Sequence, residues 1–214
     1  MDREQILAWT HAERLDLAEF LETLSDNDFR VRSLCAEWTV HEVVAHLTVA
    51  TRMSWGATVW AAIRARGSFD RMETNLARER AARFSPAELI AQYRETAGSA
   101  KRTPGSGVLD PLTDTLVHGQ DIARPLGRVR VLPVERALAA LEHVLGSAFY
   151  GARKRFAGLR LVATDADFCS GEGVEVRGPV GELLMLATGR PSGLAGLSGP
   201  GVGRLVSGFA EAGK

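Results

Sequence analysis

Four side chains that can hold a metal ion stand at inward-facing positions of two predicted helices. Asp114, His118 and Asp121 are spaced four and three residues apart, so a helix places them on one stripe. Apolar residues flank that stripe, and His46 likewise falls on the apolar face of an earlier predicted helix. Ionisable groups in an apolar interior are costly unless something neutralises them, and a divalent cation does so. The pattern therefore favours a metal site inside a bundle of helices.

The ligand types limit which metal ion the site would bind. Imidazole nitrogen together with carboxylate oxygen suits zinc, with nickel or iron as alternatives, better than magnesium or calcium. His46, Asp114 and His118 would supply three ligands and leave a position open, which is typical of catalytic sites. Asp121 is either a fourth ligand or the acceptor that orients an imidazole N–H. Without a metal, His118 would bond a nearby carboxylate and His46 would be an ordinary core histidine.

The elements that must position these residues are helices over the first two thirds of the chain. Thr39 and Glu42 have the spacing of a capping box, and Ser85-Pro86 and Asp110-Pro111 are typical helix starts. The spacing of apolar residues predicts helices over 2–24, 39–66, 69–83, 85–102, 110–124 and 133–150.

The last third of the chain has a different pattern. Leu159–Thr164 alternates and predicts a strand, Val174–Arg177 predicts a second strand after a glycine turn, and Pro179–Thr188 predicts a helix. The glycine-rich stretch 189–203 precedes a short helix or tail. We therefore predict a mainly α protein, with a helical domain over residues 1–150 and a small α+β domain over 151–214.

Composition excludes some classes of function. Lys and Arg together number 26, as do Asp and Glu, so nothing favours a nucleic-acid partner. No run of about 18 apolar residues and no leader-like start is present, which predicts a cytoplasmic protein with no membrane partner.

Other residue types that could do chemistry give weaker signals. The two cysteines, Cys35 and Cys169, form no CxxC motif and have no adjacent histidine, so a thiol nucleophile is not supported. Trp38, Trp55 and Trp60 could line a pocket, or they could pack between helices.

Three segments carry a family resemblance. They are Trp38–Leu47 (WTVHEVVAHL), Leu116–Gly127 (LVHGQDIARPLG) and Val176–Arg190 (VRGPVGELLMLATGR). Together they resemble the mycothiol-dependent maleylpyruvate isomerase family, which belongs to the DinB-like metalloprotein superfamily. The resemblance implies a DinB-like four-helix bundle followed by a small α+β C-terminal domain.

The resemblance also implies a metal site and a chemistry. The family's metal ligands fall on His46, Asp114 and His118, although position 114 holds Asp where the family has Glu. The resemblance implies that the enzyme uses mycothiol as a cosubstrate. The reaction would be either an isomerisation or the transfer of the thiol to a small electrophile, as in a transferase. Arg177 and Arg190 are candidates for holding an acidic substrate, or else they are surface arginines.

Three hypotheses follow, for a monomer or a homodimer. The first is a metal-dependent isomerase or thiol S-transferase with an open coordination position. The second is a non-catalytic DinB-like metal-binding protein with a ligand-binding or stress-related role, in which either Asp121 closes the site as a fourth ligand or the site is buried and lacks a cleft. The third is a purely structural helical protein without metal, in which His118 and Asp114 pair with other side chains.

Overall fold

The computed structural model describes residues 1–35, 38–52, 69–103 and 105–212. The chain divides into two compact units, Met1–Arg130 and Val131–Lys214. No helix in the described ranges is both long and apolar enough to cross a membrane.

The first unit is helical. Its helices are α1 (Arg3–Glu22), α2 (Val40–Arg52), α3 (Phe69–Arg83), α4 (Pro86–Glu95) and α5 (Asp110–Ala123), with a 3₁₀ turn at Asp28–Arg30. Helix α1 packs against α4 and α5, and α2 packs against α3, α4 and α5. Leu17 and Leu21 of α1, Val43 of α2, Leu89 of α4 and Ile122 of α5 are fully buried in a shared apolar core. This core fixes α2 and α5 side by side.

Local hydrogen bonds explain where several helices begin. In the predicted capping box of α2, the Glu42 carboxylate accepts from the Thr39 backbone N–H at 2.7 Å, and the Thr39 hydroxyl accepts from the Glu42 N–H at 3.3 Å. Ser85 and Glu88 form the same reciprocal pair before α4, with Pro86 in its first turn. Each pair satisfies N–H groups that the first helical turn leaves unbonded.

Helix α4 is shorter than predicted. The spacing predicts a helix to residue 102, but α4 ends at Glu95 with Thr96 as its cap. The buried Arg14 of α1 donates to the carbonyl oxygens of Ala97 at 3.2 Å and Ser99 at 2.9 Å. Because the Arg14 guanidinium binds these two carbonyl oxygens, the chain forms a turn here and the helix does not continue. The spacing of apolar residues gives no indication of this tertiary contact.

The predicted continuation of α2 to residue 66 lies outside the described residues, as do Trp55 and Trp60. Helix α3 has the predicted bounds, and α1 and α5 match their predicted segments closely.

The second unit combines helices with a small sheet. Its elements are α6 (Val134–Gly146), α7 (Ala152–Arg155), β1 (Leu159–Ala163), β2 (Cys169–Ser170), β3 (Val174–Gly178), α8 (Val180–Ala187), a 3₁₀ segment (Pro191–Gly196) and α9 (Val202–Ala212). Strand β1 is central, antiparallel to β2 and parallel to β3, with Leu161 opposite Val176 in the β1–β3 register. Helix α8 packs on both β1 and α6.

The turn before β3 requires glycine. Gly171 and Gly173 have φ angles of 80° and 122°, and a Cβ at Gly173 would lie 2.2 Å from the carbonyl oxygen of Gly158. A side chain would be strained at both positions.

The expected fold class is confirmed at the level of a mainly helical protein with a small α+β part at its C-terminal end. Helix α6 ends at Gly146 rather than near residue 150, because Ser147 is extended and α7 begins only at Ala152. The domain boundary predicted at residue 150 falls inside the second unit, since α6 packs against α8.

Candidate metal centre

Helices α2 and α5 bring three of the predicted ligands together. The Asp114 Oδ1 atom lies 3.2 Å from His118 Nε2 and 3.6 Å from His46 Nε2. The ligand atoms of all three residues lie within 4.8 Å of one another. The i, i+4 spacing places Asp114 and His118 on one face of α5, and packing of α2 beside α5 adds His46.

These distances fit a metal ion. Bonds of about 2.1 Å in a tetrahedral arrangement place neighbouring ligand atoms about 3.4 Å apart. The two separations from Asp114 Oδ1, 3.2 Å to His118 Nε2 and 3.6 Å to His46 Nε2, bracket that value. The imidazoles are nearly buried, whereas the Asp114 side chain is 43% exposed, so the group is open to solvent on the Asp114 side. The donor set of two imidazoles and one carboxylate therefore fits a divalent cation with a position left for a small molecule.

Asp121 lies on the other side of the His118 ring. Its Oδ2 atom is 2.9 Å from His118 Nδ1, and its side chain is fully buried. A carboxylate at that nitrogen favours the tautomer with hydrogen on Nδ1 and a lone pair on Nε2, the atom that faces Asp114. The arrangement is that of an orienting acceptor.

Cys35 is a member of this group that the sequence did not reveal. Its Sγ atom donates to Asp121 Oδ2 at 3.1 Å and lies 3.7 Å from His118 Nδ1. Cys35, His118 and Asp121 thus form a second set of metal-ligand types that shares His118 with the first. No spacing rule links a residue at 35 to α5, so the sequence held no signal for this contact.

A tight loop before α2 places Cys35 and Trp38. The Ser33 hydroxyl accepts from the Cys35 N–H at 3.1 Å and donates to the Trp38 carbonyl at 2.9 Å. The Leu34 N–H donates to the Asp121 carbonyl at 3.0 Å, which ties the loop to α5. The side chains of Cys35 and Trp38 are thereby held beside the two histidines.

Trp38 packs directly on the candidate centre. Its ring centroid is 4.9 Å from that of His46 and 6.2 Å from that of His118, and the residue is 8% exposed. The sequence left open whether Trp38 lines a pocket or packs between helices. The contacts place it against two of the three predicted ligands.

The two neighbouring histidines determine the direction in which the pKa of Asp114 is shifted. Partial burial would raise its pKa, but the positive charge of His118 and the close imidazole nitrogens of His118 and His46 outweigh that effect. The pKa of the Asp114 carboxyl is therefore lowered, and Asp114 is an anion at neutral pH.

The pKa of His118 is shifted in the opposite direction. Burial disfavours its protonated form, but the Asp114 charge and the hydrogen bonds to Asp114 and Asp121 raise its pKa well above 6.5. In the metal-free protein a proton on His118 balances part of the charge of the two carboxylates. A divalent cation at Nε2 would take over that role and displace the proton.

The two arginine candidates lie in the second unit. Arg177 on β3 is exposed, and its Nε donates to Glu175 Oε1 at 2.6 Å. Arg190 is partly exposed after α8, and its Nη1 donates to the Thr188 carbonyl at 2.7 Å. Each arginine therefore has a local partner within its own unit.

A family model identifies part of the chain. Residues 10–107 match the model described as the mycothiol maleylpyruvate isomerase N-terminal domain. This segment belongs to that family. The resemblance predicted from the sequence motifs is thereby confirmed. His46 and Trp38 lie inside the matched segment, whereas Asp114 and His118 follow it.

Two solved structures of the family's namesake have a similar fold. A crystal structure of the mycothiol-dependent maleylpyruvate isomerase matches with a TM-score of 0.58 and 16% identity, over 94% of this chain and 93% of that one. A histidine-to-alanine mutant of the mycothiol-dependent maleylpyruvate isomerase matches with the same TM-score and coverage at 15% identity. No curated protein sequence matches the chain. At these identities the structures establish a shared fold over nearly the whole length of both chains.

Proposed function

We propose that this protein is a metal-dependent enzyme that uses a small thiol, with mycothiol as the first candidate, on an electrophilic organic acid. The observation that carries the proposal is the convergence of His46 Nε2, Asp114 Oδ1 and His118 Nε2 on one point between α2 and α5. The family membership of residues 10–107 and the fold shared with a mycothiol-dependent isomerase support the same chemistry.

The first task of these residues is to hold a divalent cation, zinc in our proposal and nickel or iron as alternatives. His46 and His118 supply nitrogens and Asp114 supplies one negative charge. Asp121 keeps a hydrogen on His118 Nδ1 and so leaves Nε2 available. Because Asp121 contacts the far side of the imidazole, we assign it an orienting role and not a fourth coordination bond.

The second task is to admit a thiol. When bound, a divalent cation lowers the pKa of a coordinated thiol, so that the sulfur is a nucleophile near neutral pH. The exposed side of Asp114 gives such a molecule access, and Trp38 and the buried imidazoles close the opposite side to water.

The proposed reaction is isomerisation by reversible addition. The thiol sulfur forms a bond to one carbon of a conjugated cis double bond, whose electron pair moves to the conjugated carbonyl. Rotation about the resulting single bond and loss of the thiol then give the trans isomer. The thiol is regenerated, so no oxidant or reductant is needed. A substrate that holds a leaving group would instead keep the sulfur, which is the S-transfer alternative.

Arg177 and Arg190 remain our candidates for the cation that holds an acidic substrate. Glu175 competes with a substrate for Arg177, because their ion pair is already formed. Replacing each arginine by Ala is expected to raise KM for an acidic substrate while metal content stays unchanged.

The test is turnover by the zinc-loaded protein. Maleylpyruvate and mycothiol are supplied, and the olefinic proton couplings, which differ between cis and trans isomers, are followed by NMR. Wild-type protein is expected to convert cis to trans, and His118→Ala is expected to lose both zinc and turnover. Asp26→Asn, a change at an exposed residue of the same unit, serves as the control.

The other outcomes separate the alternatives. Accumulation of a stable sulfur adduct with a different electrophile would assign the S-transfer reaction. Zinc binding without thiol binding would favour a non-catalytic metal-binding protein, and failure to bind any divalent metal would refute the proposal.

A further inference from the structure

Three metal-ligand side chains meet at the nitrogen of His118 that faces away from the candidate metal centre. Cys35 Sγ lies 3.7 Å from His118 Nδ1 and 3.1 Å from Asp121 Oδ2, and that oxygen lies 2.9 Å from the same nitrogen. A thiol sulfur, an imidazole nitrogen and a carboxylate oxygen are all ligand types that divalent cations take in proteins. The cluster is therefore a second group of cation ligands, and it shares one imidazole with the first group.

The three separations suit one ion without movement of the backbone. Zinc bonds of about 2.3 Å to sulfur and about 2.05 Å to nitrogen and oxygen require angles of about 90° for the N–O and S–O pairs and about 115° for the S–N pair. These angles place the ion out of the plane of its three ligand atoms, as in a distorted tetrahedral site. The ion stands where the hydrogens of the Cys35 thiol and of His118 Nδ1 stand in the metal-free protein, so the site needs no cavity for an organic molecule.

Two separate elements hold these ligands together. His118 and Asp121 are about one turn apart on α5, whereas Cys35 lies in the loop before α2. The Leu34 N–H donates to the Asp121 carbonyl at 3.0 Å, and the Ser33 hydroxyl accepts from the Cys35 N–H at 3.1 Å. These bonds fix the backbone that carries the cysteine and keep its sulfur close to α5.

The second group differs from the first in charge and in softness. A thiolate and a carboxylate carry two negative charges, which one divalent cation cancels, whereas His46, His118 and Asp114 supply only one. Thiolate sulfur selects soft, thiophilic ions, among them zinc and its heavier relative cadmium. Cys35 is half-buried and Asp121 is fully buried, so an ion reaches the group from the side of the cysteine.

The shared imidazole links the two positions. A neutral imidazole has one lone pair for a cation and one N–H. With an ion on Nε2, His118 donates from Nδ1 to Asp121. With an ion on Nδ1, the hydrogen is on Nε2, where Asp114 Oδ1 accepts it at 3.2 Å. Each nitrogen faces a carboxylate, so both arrangements are satisfied, but His118 serves only one ion at a time.

We propose that Cys35, His118 and Asp121 form a second cation site for a thiophilic divalent ion, and that an ion bound there withdraws His118 from the centre it forms with His46 and Asp114. In the metal-free protein, binding releases two protons to solvent, one from the Cys35 sulfur and one from His118 Nδ1. No step involves a substrate or a thiol cosubstrate, so the inference stands apart from the proposed function.

The probe is cadmium, because a cadmium–thiolate bond gives an ultraviolet charge-transfer absorption that cadmium bound only by nitrogen and oxygen does not give. Metal-free, reduced wild type, Cys35→Ser and Cys169→Ser are titrated with cadmium. Serine keeps a donor for Asp121 and removes the thiolate. Cys169 is exposed on β2 and provides the matched control.

Wild type and Cys169→Ser are expected to gain the absorption equally, up to one cadmium–thiolate bond per chain, and Cys35→Ser is expected to gain none. His118→Ala is expected to weaken this binding by about 100-fold or more, because loss of a group that only orients a ligand already costs about 10- to 100-fold. Absence of the absorption in wild type, or its retention in Cys35→Ser, would overturn the inference. Equal affinity in His118→Ala would reduce the site to a single thiol and overturn it as well.

Zinc measures the link between the two positions. Cadmium added to zinc-loaded wild type is expected to release the zinc to a chromophoric chelator as the cadmium–thiolate absorption appears. His46→Ala, which removes a ligand of the first centre alone, is expected to keep the absorption. One zinc retained beside a complete cadmium–thiolate absorption would contradict the exclusion of one ion by the other.

A measurement on wild type alone keeps the inference testable if a variant does not fold. Alkylation by iodoacetamide is followed at each cysteine by peptide mass spectrometry. Saturating cadmium is expected to slow alkylation of Cys35 and to leave the rate at Cys169 nearly unchanged. An unchanged rate at Cys35 contradicts the site, whether or not the protein proves to be an isomerase.

Discussion

Replacing Asp121 by Asn tests how the centre is held in place. The Asp121 carboxylate accepts from His118 Nδ1 at 2.9 Å and from the Cys35 thiol at 3.1 Å, and its side chain is fully buried. Asn has nearly the same shape and keeps one acceptor oxygen, but it loses the negative charge that favours a hydrogen on His118 Nδ1.

We expect Asp121→Asn to lose as much metal affinity as the removal of a residue that orients a metal ligand. Removing such a partner typically lowers metal affinity 10- to 100-fold, which corresponds to about 1.4–2.7 kcal/mol. We therefore expect the zinc Kd of Asp121→Asn to rise by this factor, with one zinc still bound at saturation. A direct ligand would behave differently, because its removal abolishes stoichiometric binding.

The assay is competition for zinc against a chromophoric chelator at fixed pH, with Asp26→Asn as the control at an exposed position. Circular dichroism establishes that each variant is folded. An unchanged Kd would show that Asp121 does not orient His118. Complete loss of zinc from a folded Asp121→Asn protein would make Asp121 a direct ligand, and either result would refute the reasoning.

Four further predictions concern zinc affinity against pH, stability against pH, a buried ion pair and a helix cap. Because the pKa of His118 is raised and that of Asp114 is lowered, zinc affinity is expected to fall up to tenfold per pH unit below neutrality, as measured by competition titration. The same shifts mean that the ion pair of His118 and Asp114 stabilises the metal-free protein fully between about pH 4 and 6.5. This stabilisation decreases as the pH rises through the pKa of His118, and it decreases as the pH falls towards the pKa of Asp114. Urea unfolding measured against pH checks this prediction, and a free energy of unfolding that does not change with pH contradicts it. Arg130→Ala is expected to lower the free energy of unfolding by about 3–5 kcal/mol, because it removes the buried guanidinium that lies 3.0 Å from the buried Glu13 carboxylate; a loss below 1 kcal/mol would contradict this. Thr39→Ala is expected to cost about 1 kcal/mol in the same assay through loss of its cap on α2, and no change would show that the cap is dispensable.

The convergence of the metal-ligand residues could be predicted because it depends on helix periodicity. Asp114 and His118 are one turn apart on α5, and His46 occupies an apolar-face position of α2, so packing of two apolar faces brings them together. The capping box that begins α2 and the Ser85-Pro86 start of α4 could be predicted for a similar reason, since both depend on residues close together in sequence.

The contacts of Cys35 and Trp38 could not be predicted in this way. Both lie in the loop before α2, where no periodicity relates sequence position to direction. Their places depend on Ser33, which bonds both ends of the loop, and on the long-range bond from Leu34 to Asp121. The early end of α4 has the same kind of cause, because Arg14 acts across more than 80 positions of sequence. Local patterns do not contain such tertiary contacts.

The resemblance to the isomerase family implies Glu at the position where this chain has Asp114, and the shorter side chain has a physical meaning in this geometry. The shorter side chain still places Oδ1 3.2 Å from His118 Nε2 and 3.6 Å from His46 Nε2. We therefore expect Asp114 to serve as a ligand without rearrangement of α2 or α5. Loss of zinc in Asp114→Ala, measured by elemental analysis, is the corresponding expectation, and full retention would contradict it.

The most direct test of the account is the metal content of the purified protein, followed by calorimetric titration of the metal-loaded protein with mycothiol. We predict about one zinc per chain in wild type, none in His118→Ala, and saturable mycothiol binding only where zinc is present. Full metal retention by His118→Ala, or no metal in wild type after reconstitution with zinc, nickel and iron, would contradict the central claim that His46, Asp114 and His118 form a metal centre.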